Sequence, residues 1–164
     1  MYVFERTKGE TPPVTLEELR EWNYIEDHQF DNKLTLCLNA GVAQVESYVN
    51  GIVWPSTFAL SLDGVVHEIP FGEYPVNSIT VTVDGVQLDD SLVTYDGRVI
   101  RIDGSVTGAS MSVSVSCGDA VTDGDIKAAI LLVASELFRN PTDSVRTLPT
   151  ASQNILNPHR RANI

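Results

Sequence analysis

The sequence has little of what catalysis uses. Of its 164 residues only three are histidine and two cysteine, and His28, His67 and His159 stand apart with no nucleophile or orienting group at a recognisable spacing. No Gly-rich loop is followed by Lys and Ser or Thr, there is no nucleophile elbow, and no two histidines sit at helical spacing for zinc. The reading is therefore a non-enzyme with no cofactor. Cys37 and Cys117 lie far apart in apolar stretches, which suggests neither a disulfide framework nor a metal-ligand spacing and reads as buried free thiols. Basic residues are scarce too: 11 Lys and Arg stand against 22 Asp and Glu, a formal net charge of −11. Phosphate neutralisation needs clustered cations, so a broad nucleic-acid-gripping surface is excluded. No apolar run approaches the roughly 18 residues needed to span a bilayer, and the opening MYVFERTKGETPP lacks the apolar stretch of a secretory signal. The expectation is a soluble protein made in a reducing cytoplasm, with no membrane partner. Asp89 and Asp90, with Asp84 or Asp96, match no calcium-loop spacing and read as solvated hairpin ends.

What is present divides into three parts. In VTLEELREW, Thr15 and Glu18 form a capping-box pair, with Leu16 and Leu19 as the apolar edge of a short helix. From a second candidate cap at Asp31, the residues Leu34, Leu38, Val42, Val45 and Val49 recur every three or four positions, the period of one buried helical face, and Gly51 is the expected stop. From Trp54 and Pro55 the character changes. Asp-Gly pairs occur at Asp63, Asp84, Asp96 and Asp103, flanked by alternating or β-branched residues, and the spacing predicts a run of hairpins. Ile79, Val81 and Val83 alternate with threonines, and Met111, Val113, Val115 and Cys117 with serines, giving strands with one apolar and one small polar face. His67 falls in such a strand, at an edge or facing solvent. After Asp123 or Asp125 as cap, IKAAILLVASELFRN is apolar around most of its circumference, Asn140-Pro141 ends it, and a polar loop runs through Thr147. A last short segment closes on Pro158 and a basic tail.

The fold class read from this is α+β: a small helical bundle with an inserted antiparallel β-sheet or barrel lobe. Residues 1–53 form the N-terminal helical part, 54–118 the β insertion, 119–147 the C-terminal core helix and loop, and 148–164 a C-terminal arm. Leu34, Leu38, Val42 and Val45 are expected to pack on Ile130, Val133, Ala134 and Leu137 in one helical core.

Order and spacing together carry a resemblance. The stretch VTLEELREWNYIEDHQFDNKLTLCLNAGVAQVESYVNGIV is similar to the start of the head-to-tail connector (adaptor) proteins of long-tailed double-stranded DNA phages, prophages and gene transfer agents, in which a short helix leads through an acidic loop to a long one. The ending IKAAILLVASELFRNPTDSVRTLPTASQNILNPHRR resembles theirs through Ile126, Ala129, Leu132, Leu137, Arg139, Leu148, Pro149, Ile155, Leu156, Pro158 and Arg160. The β section resembles an insertion found in a subset of the family. Together the two helical regions cover about half the chain. The resemblance implies a structural subunit of the virion neck, made in the host bacterial cytoplasm. It implies a ring of twelve copies under the portal protein, joined to the next connector, stopper or tail protein. Double-stranded DNA would pass through the channel without sequence-specific binding, for which an acidic chain suits a sliding duplex. It also implies that the C-terminal arm reaches the portal, through Leu148, Pro149, Ile155, Leu156, Pro158, His159, Arg160 and Arg161. The alternative is an accessory tail or baseplate protein whose β module binds carbohydrate or protein, with Trp54, Tyr74 and Tyr95 as a stacking surface.

Overall fold

The structure, a computed structural model, describes residues 2–119, 122–140 and 148–161. The expected loop from Pro141 through Thr147 and the last three residues lie outside the described residues. The fold is α+β, with four α-helices and two antiparallel sheets among the described residues, in two compact units. One unit comprises Met1–Glu10 and Pro55–Asp119, the other Thr11–Trp54 and Ala120–Ile164.

The β unit begins with β1 (Glu5–Lys8), paired antiparallel to β2 (Ser56–Asp63). Residues 5–8, read from sequence as within the N-terminal helical part, thus pair in the sheet. ERTK carries no apolar alternation because this edge strand is held mainly by its backbone ladder and is exposed along most of its length. β3 (Glu68–Pro70), β4 (Val76–Val83), β5 (Val86–Gln87), β6 (Val93–Tyr95), β7 (Val99–Ile102) and β8 (Ser110–Cys117) follow. The larger sheet has the order β1-β2-β8-β4-β5 and the smaller β3-β7-β6. β8 lies between β2 and β4, so its burial alternates strictly over its first six residues, serines out and Met111, Val113 and Val115 in. Phe71 ties the unit together: its ring meets Phe4, Phe58 on β2 and Tyr95 on β6 edge-on at 5.0, 5.6 and 6.4 Å.

Two of the four Asp-Gly pairs make hairpins. Asp84 and Gly85, at φ 49° and 81°, form the tight turn between β4 and β5, a conformation asparagine, aspartate and glycine tolerate best. Asp96-Gly97 joins β6 to β7. Asp63-Gly64 and Asp103-Gly104 do not connect paired neighbours, because the strands following them belong to a different sheet from the strands preceding them. His67 sits just before β3 rather than within a strand, exposed, its carbonyl accepting the Ile102 N–H at 2.9 Å.

In the helical unit α1 (Leu16–Trp22) has the full capping box: the Glu18 N–H donates to Thr15 Oγ1 at 3.1 Å and the Thr15 N–H to Glu18 Oε2 at 2.7 Å. The Thr15 N–H first, and Lys127 after it, hold the Glu18 carboxyl below its ordinary range. α2 (Asp31–Val49) starts without a side-chain cap; Asp31 lies in its first turn, 3.5 Å from Arg20 Nε and 3.1 Å from His28 Nδ1. It ends on Asn50 in the left-handed region (φ 55°), one residue before the expected Gly51, since asparagine tolerates that conformation too. α3 (Gly124–Arg139) has Asp123 at the cap position without a side-chain bond, and α4 (Thr150–Leu156) runs into a short 3-10 turn, Asn157–His159.

The core of this unit contains Leu34, Leu38, Val42, Val45 and Val49 of α2, Ala129, Ile130, Val133 and Ala134 of α3, with Val14, Leu19, Val53 and Leu156; Leu137 packs against it half-buried. Gly41 sets the helix separation: a Cβ there would lie 3.3 Å from both the Cβ and the backbone nitrogen of Ala134. Leu38→Ala is expected to cost about 2–5 kcal/mol by the transfer and cavity terms together. Leu137→Ala should cost clearly less, because its side chain is only half-buried; urea unfolding of the two variants followed by circular dichroism checks the order.

Candidate functional site

The chemistry-bearing side chains remain dispersed. His28 Nδ1 is 2.7 Å from Arg20 Nη1, in a cluster with Asp31 that anchors α1 to the start of α2. His159 lies 3.9 Å from Asp123 and 3.8 Å from Asp125, joining the end of the C-terminal turn to the start of α3. Burial pushes the Cys117 thiol up to about 11 and raises Cys37 too, against the opposing effect of Lys33, so both thiols are held away from the reactive thiolate form. Cys117 is buried, whereas Cys37, expected to be buried, is half-exposed on the flank of α2.

The acidic residues of the β unit serve its turns. Asp84 accepts the N–H groups of Ala109 and Ser110 at 3.0 and 2.8 Å, Asp89 that of Ser91 at 2.9 Å, and Asp103 that of Ser105 at 2.8 Å. Asp96 accepts from the N–H groups of Val99 and Arg98 and from Arg101 Nη1. Among the described residues no group of three His, Cys, Asp or Glu could hold a metal ion.

Trp54, Tyr74 and Tyr95 do not form one aromatic surface. Trp54 packs against the helical core, Tyr74 is exposed in the β unit, and Tyr95 turns its ring to Phe71 and donates its hydroxyl to the Phe71 carbonyl at 3.2 Å.

The C-terminal segment is tied to the helical unit rather than extended from it. Leu156 is fully buried in the core and so presents no surface to a partner, while Leu148 and Ile155 pack against that core. Pro149 is half-buried. Gln153 Nε2 donates to the Leu148 carbonyl at 2.8 Å, Tyr48 donates its hydroxyl to Asn157 Oδ1 at 2.7 Å, and the Arg161 N–H bonds the Val49 carbonyl at 2.9 Å. The Arg160 guanidinium stands 5.4 Å from the Tyr48 ring centre. Pro158 and Arg160 are exposed, and His159 and Arg161 half-buried.

The most conspicuous surface feature is one that sequence reasoning missed. Trp22, at the end of α1, is 44 % exposed and Tyr24 is 94 % exposed. With Leu131 of α3 they line a groove rimmed by Glu18 and Glu21. The available signal was the short stretch Glu21-Trp22-Asn23-Tyr24, which puts two large aromatics where a helix ends and a glycine is usual.

No protein-family model matches the sequence, and no curated protein matches it. Among solved structures the chain is similar to a subunit of the neck of an empty GTA particle computed with C6 symmetry, with 15% identity and a TM-score of 0.67 over 98% of this chain and 97% of that one. A subunit of the neck of the native GTA particle computed with C12 symmetry matches with 15% identity and a TM-score of 0.64 over the same shares. A chain of the virion of the native gene transfer agent particle matches with 14% identity and a TM-score of 0.66, over 97% of this chain and 96% of that one. At these identities the likeness shows the fold, and it extends over nearly the whole length of both chains.

The Asp96 turn gives an acid-stability prediction. The Val99 N–H, then Arg101, then the Arg98 N–H hold its carboxyl at about 2 against an ordinary 3.8. A depressed pKa stabilises the folded state above the ordinary value and loses that contribution as pH falls toward the folded value. Asp96→Asn should therefore melt lower at neutral pH and show a shallower fall in melting temperature between pH 4 and pH 2, read by thermal circular dichroism.

Proposed function

We propose that this chain is a structural, non-enzymatic subunit of the neck of a tailed double-stranded DNA phage or phage-like particle. In this reading it is a head-to-tail connector that closes into a ring under the portal and joins it to the next connector or tail component. The observation that carries the reading is the extent of the likeness to neck subunits, which covers 98% of this chain and 97% of theirs. The C6 and C12 symmetries of those necks suit a ring of twelve copies. Two further features support it. The dispersed histidines and raised thiols offer no catalytic group, and the net charge of −11 suits a channel wall along which a duplex slides without being gripped.

Docking to the portal falls, in this proposal, to the exposed part of the C-terminal segment, Pro158 and Arg160 with His159 and Arg161 beside them, while Leu156 and Ile155 anchor the segment from within. Arginines there can form bidentate bonds to portal carboxylates. Negative-stain electron microscopy of the full chain, alone and mixed with the portal protein from the same genome, should show rings of twelve. Changing Arg160 and Arg161 together to Glu should leave the subunit folded, with only a small fall in melting temperature, and abolish portal binding. Monodisperse monomers that ignore the portal and bind glycan would overturn the proposal.

A further inference from the structure

We infer that the Trp22–Tyr24–Leu131 groove is the seat for a second copy of this chain, which lays the outer face of its α2, led by Leu36 and Lys33, into it. This rests on the ring reading and adds the surfaces that meet.

Tyr24 provides the first reason. At the end of α1 the Tyr24 N–H donates to the Glu21 carbonyl at 3.1 Å and the Ile25 N–H to the Arg20 carbonyl at 2.9 Å, a helix-ending pattern whose left-handed residue is usually glycine. Here that residue is a tyrosine at φ 56°, a conformation that disfavours bulky side chains. Its ring is 94 % exposed, so no burial within the subunit offsets the strain. Backbone strain of this sort persists where it places a side chain for use elsewhere. Tyr24, exposed Trp22 and half-buried Leu131 line one groove and give it an apolar centre with Glu18 and Glu21 at its edge, the layout of an interface anchor with a charged rim.

Charge identifies the occupant. Glu18 is engaged by Lys127 at 3.1 Å, and Glu21 and Glu17 add acid to the outer side of α1, so the groove suits an apolar knob accompanied by a cation. α2 carries such a surface. Asn32, Leu36, Ala40, Ala43 and Ser47 recur every three or four residues and are all exposed, on the side of the helix opposite its buried stripe. Leu36 is 70 % exposed, its neighbours along that face are small, and the charge beside it is Lys33, whose long stem lets it leave the Phe138 ring 4.5 Å away. The buried stripe of α2 faces α3, so Leu36 points away from α3, whereas the groove lies between α1 and α3. Each copy therefore offers a knob on one face and a socket on another, the head-to-tail arrangement that closes a ring.

The test uses the full chain, with association scored as rings formed alone or, if the chain is monomeric alone, on immobilised portal. Tyr24→Gly removes the ring and relieves the strain. Its monomer should melt about 2–4 °C higher, while its association weakens by roughly tenfold or more. Leu36→Asn should weaken association to a similar degree. Glu21→Lys and Lys33→Glu should each weaken it, and the double variant should recover most of the loss, since the exchanged charges meet across the contact. Wild-type rings matched by equally good rings from Tyr24→Gly and Leu36→Asn would overturn the groove contact and leave the ring reading standing. A wild-type chain that forms no ring in either setting would overturn both. Variants that keep their rings but lose the portal would assign the groove to the portal instead of to a second copy.

Discussion

The close approach of α2 and α3 at Gly41 and Ala134 is the constraint on which the helical unit depends. It brings Leu38, Val42 and Val45 against Ile130 and Val133 and leaves little room for a side chain at position 41. The two helices are separated in sequence by the whole β section, so this contact can form only if the inserted chain leaves and returns at nearly one place. The ladder between β2 and β8 arranges that: Ser56 and Cys117, the first and last residues of the two strands, are direct partners. An insertion whose ends are neighbours can be large without disturbing its host.

Much of the fold was legible because its elements carry strong local periods. The three- and four-residue recurrence from Leu34 to Val49 and the serine-valine alternation of β8 each have one reading. Features set by distant partners were not legible. β1 has no apolar pattern because its role is to cover the edge of β2, and nothing local says that only Asp84-Gly85 and Asp96-Gly97 turn the chain back on itself. That depends on β3 and β8 each joining a different sheet from the strand before them, which separates the other two pairs from any hairpin. For the C-terminal segment the sequence left two fates open to Ile155 and Leu156, burial at home or in a partner. The structure places Leu156 in the core, with Pro158 and Arg160 exposed and His159 and Arg161 half-buried. Tyr24 escaped notice because a tyrosine in a loop is unremarkable until its backbone angle and exposure are known.

The electrostatics follow a division of labour. In the β unit Asp89, Asp96 and Asp103 accept N–H groups of their own turns, while Asp84 reaches those of Ala109 and Ser110 at the start of β8. In the helical unit the charges instead join one element to another: Arg20 with Asp31, Lys127 with Glu18, His159 beside Asp123 and Asp125. In the ring proposed above, repeated acidic subunits repel one another at long range, so adhesion has to come from short-range apolar contact with local charge matching, and assembly should grow easier as salt screens the repulsion.

The path of the chain between its two units has a consequence for biosynthesis. Residues 5–8 leave the ribosome well before residues 56–59 and must wait for them before they have a partner. The helices of residues 16–49 wait longer still, until residues 124–139 arrive. The sheets, complete by residue 117, can therefore fold while α1 and α2 are still without their main packing partner. During that interval the apolar stripe of α2 is uncovered, and a nascent subunit is most open to premature self-association before its last third has been made. The release of α3 is then what converts a sticky intermediate into a subunit that associates only through the surfaces left outside its core.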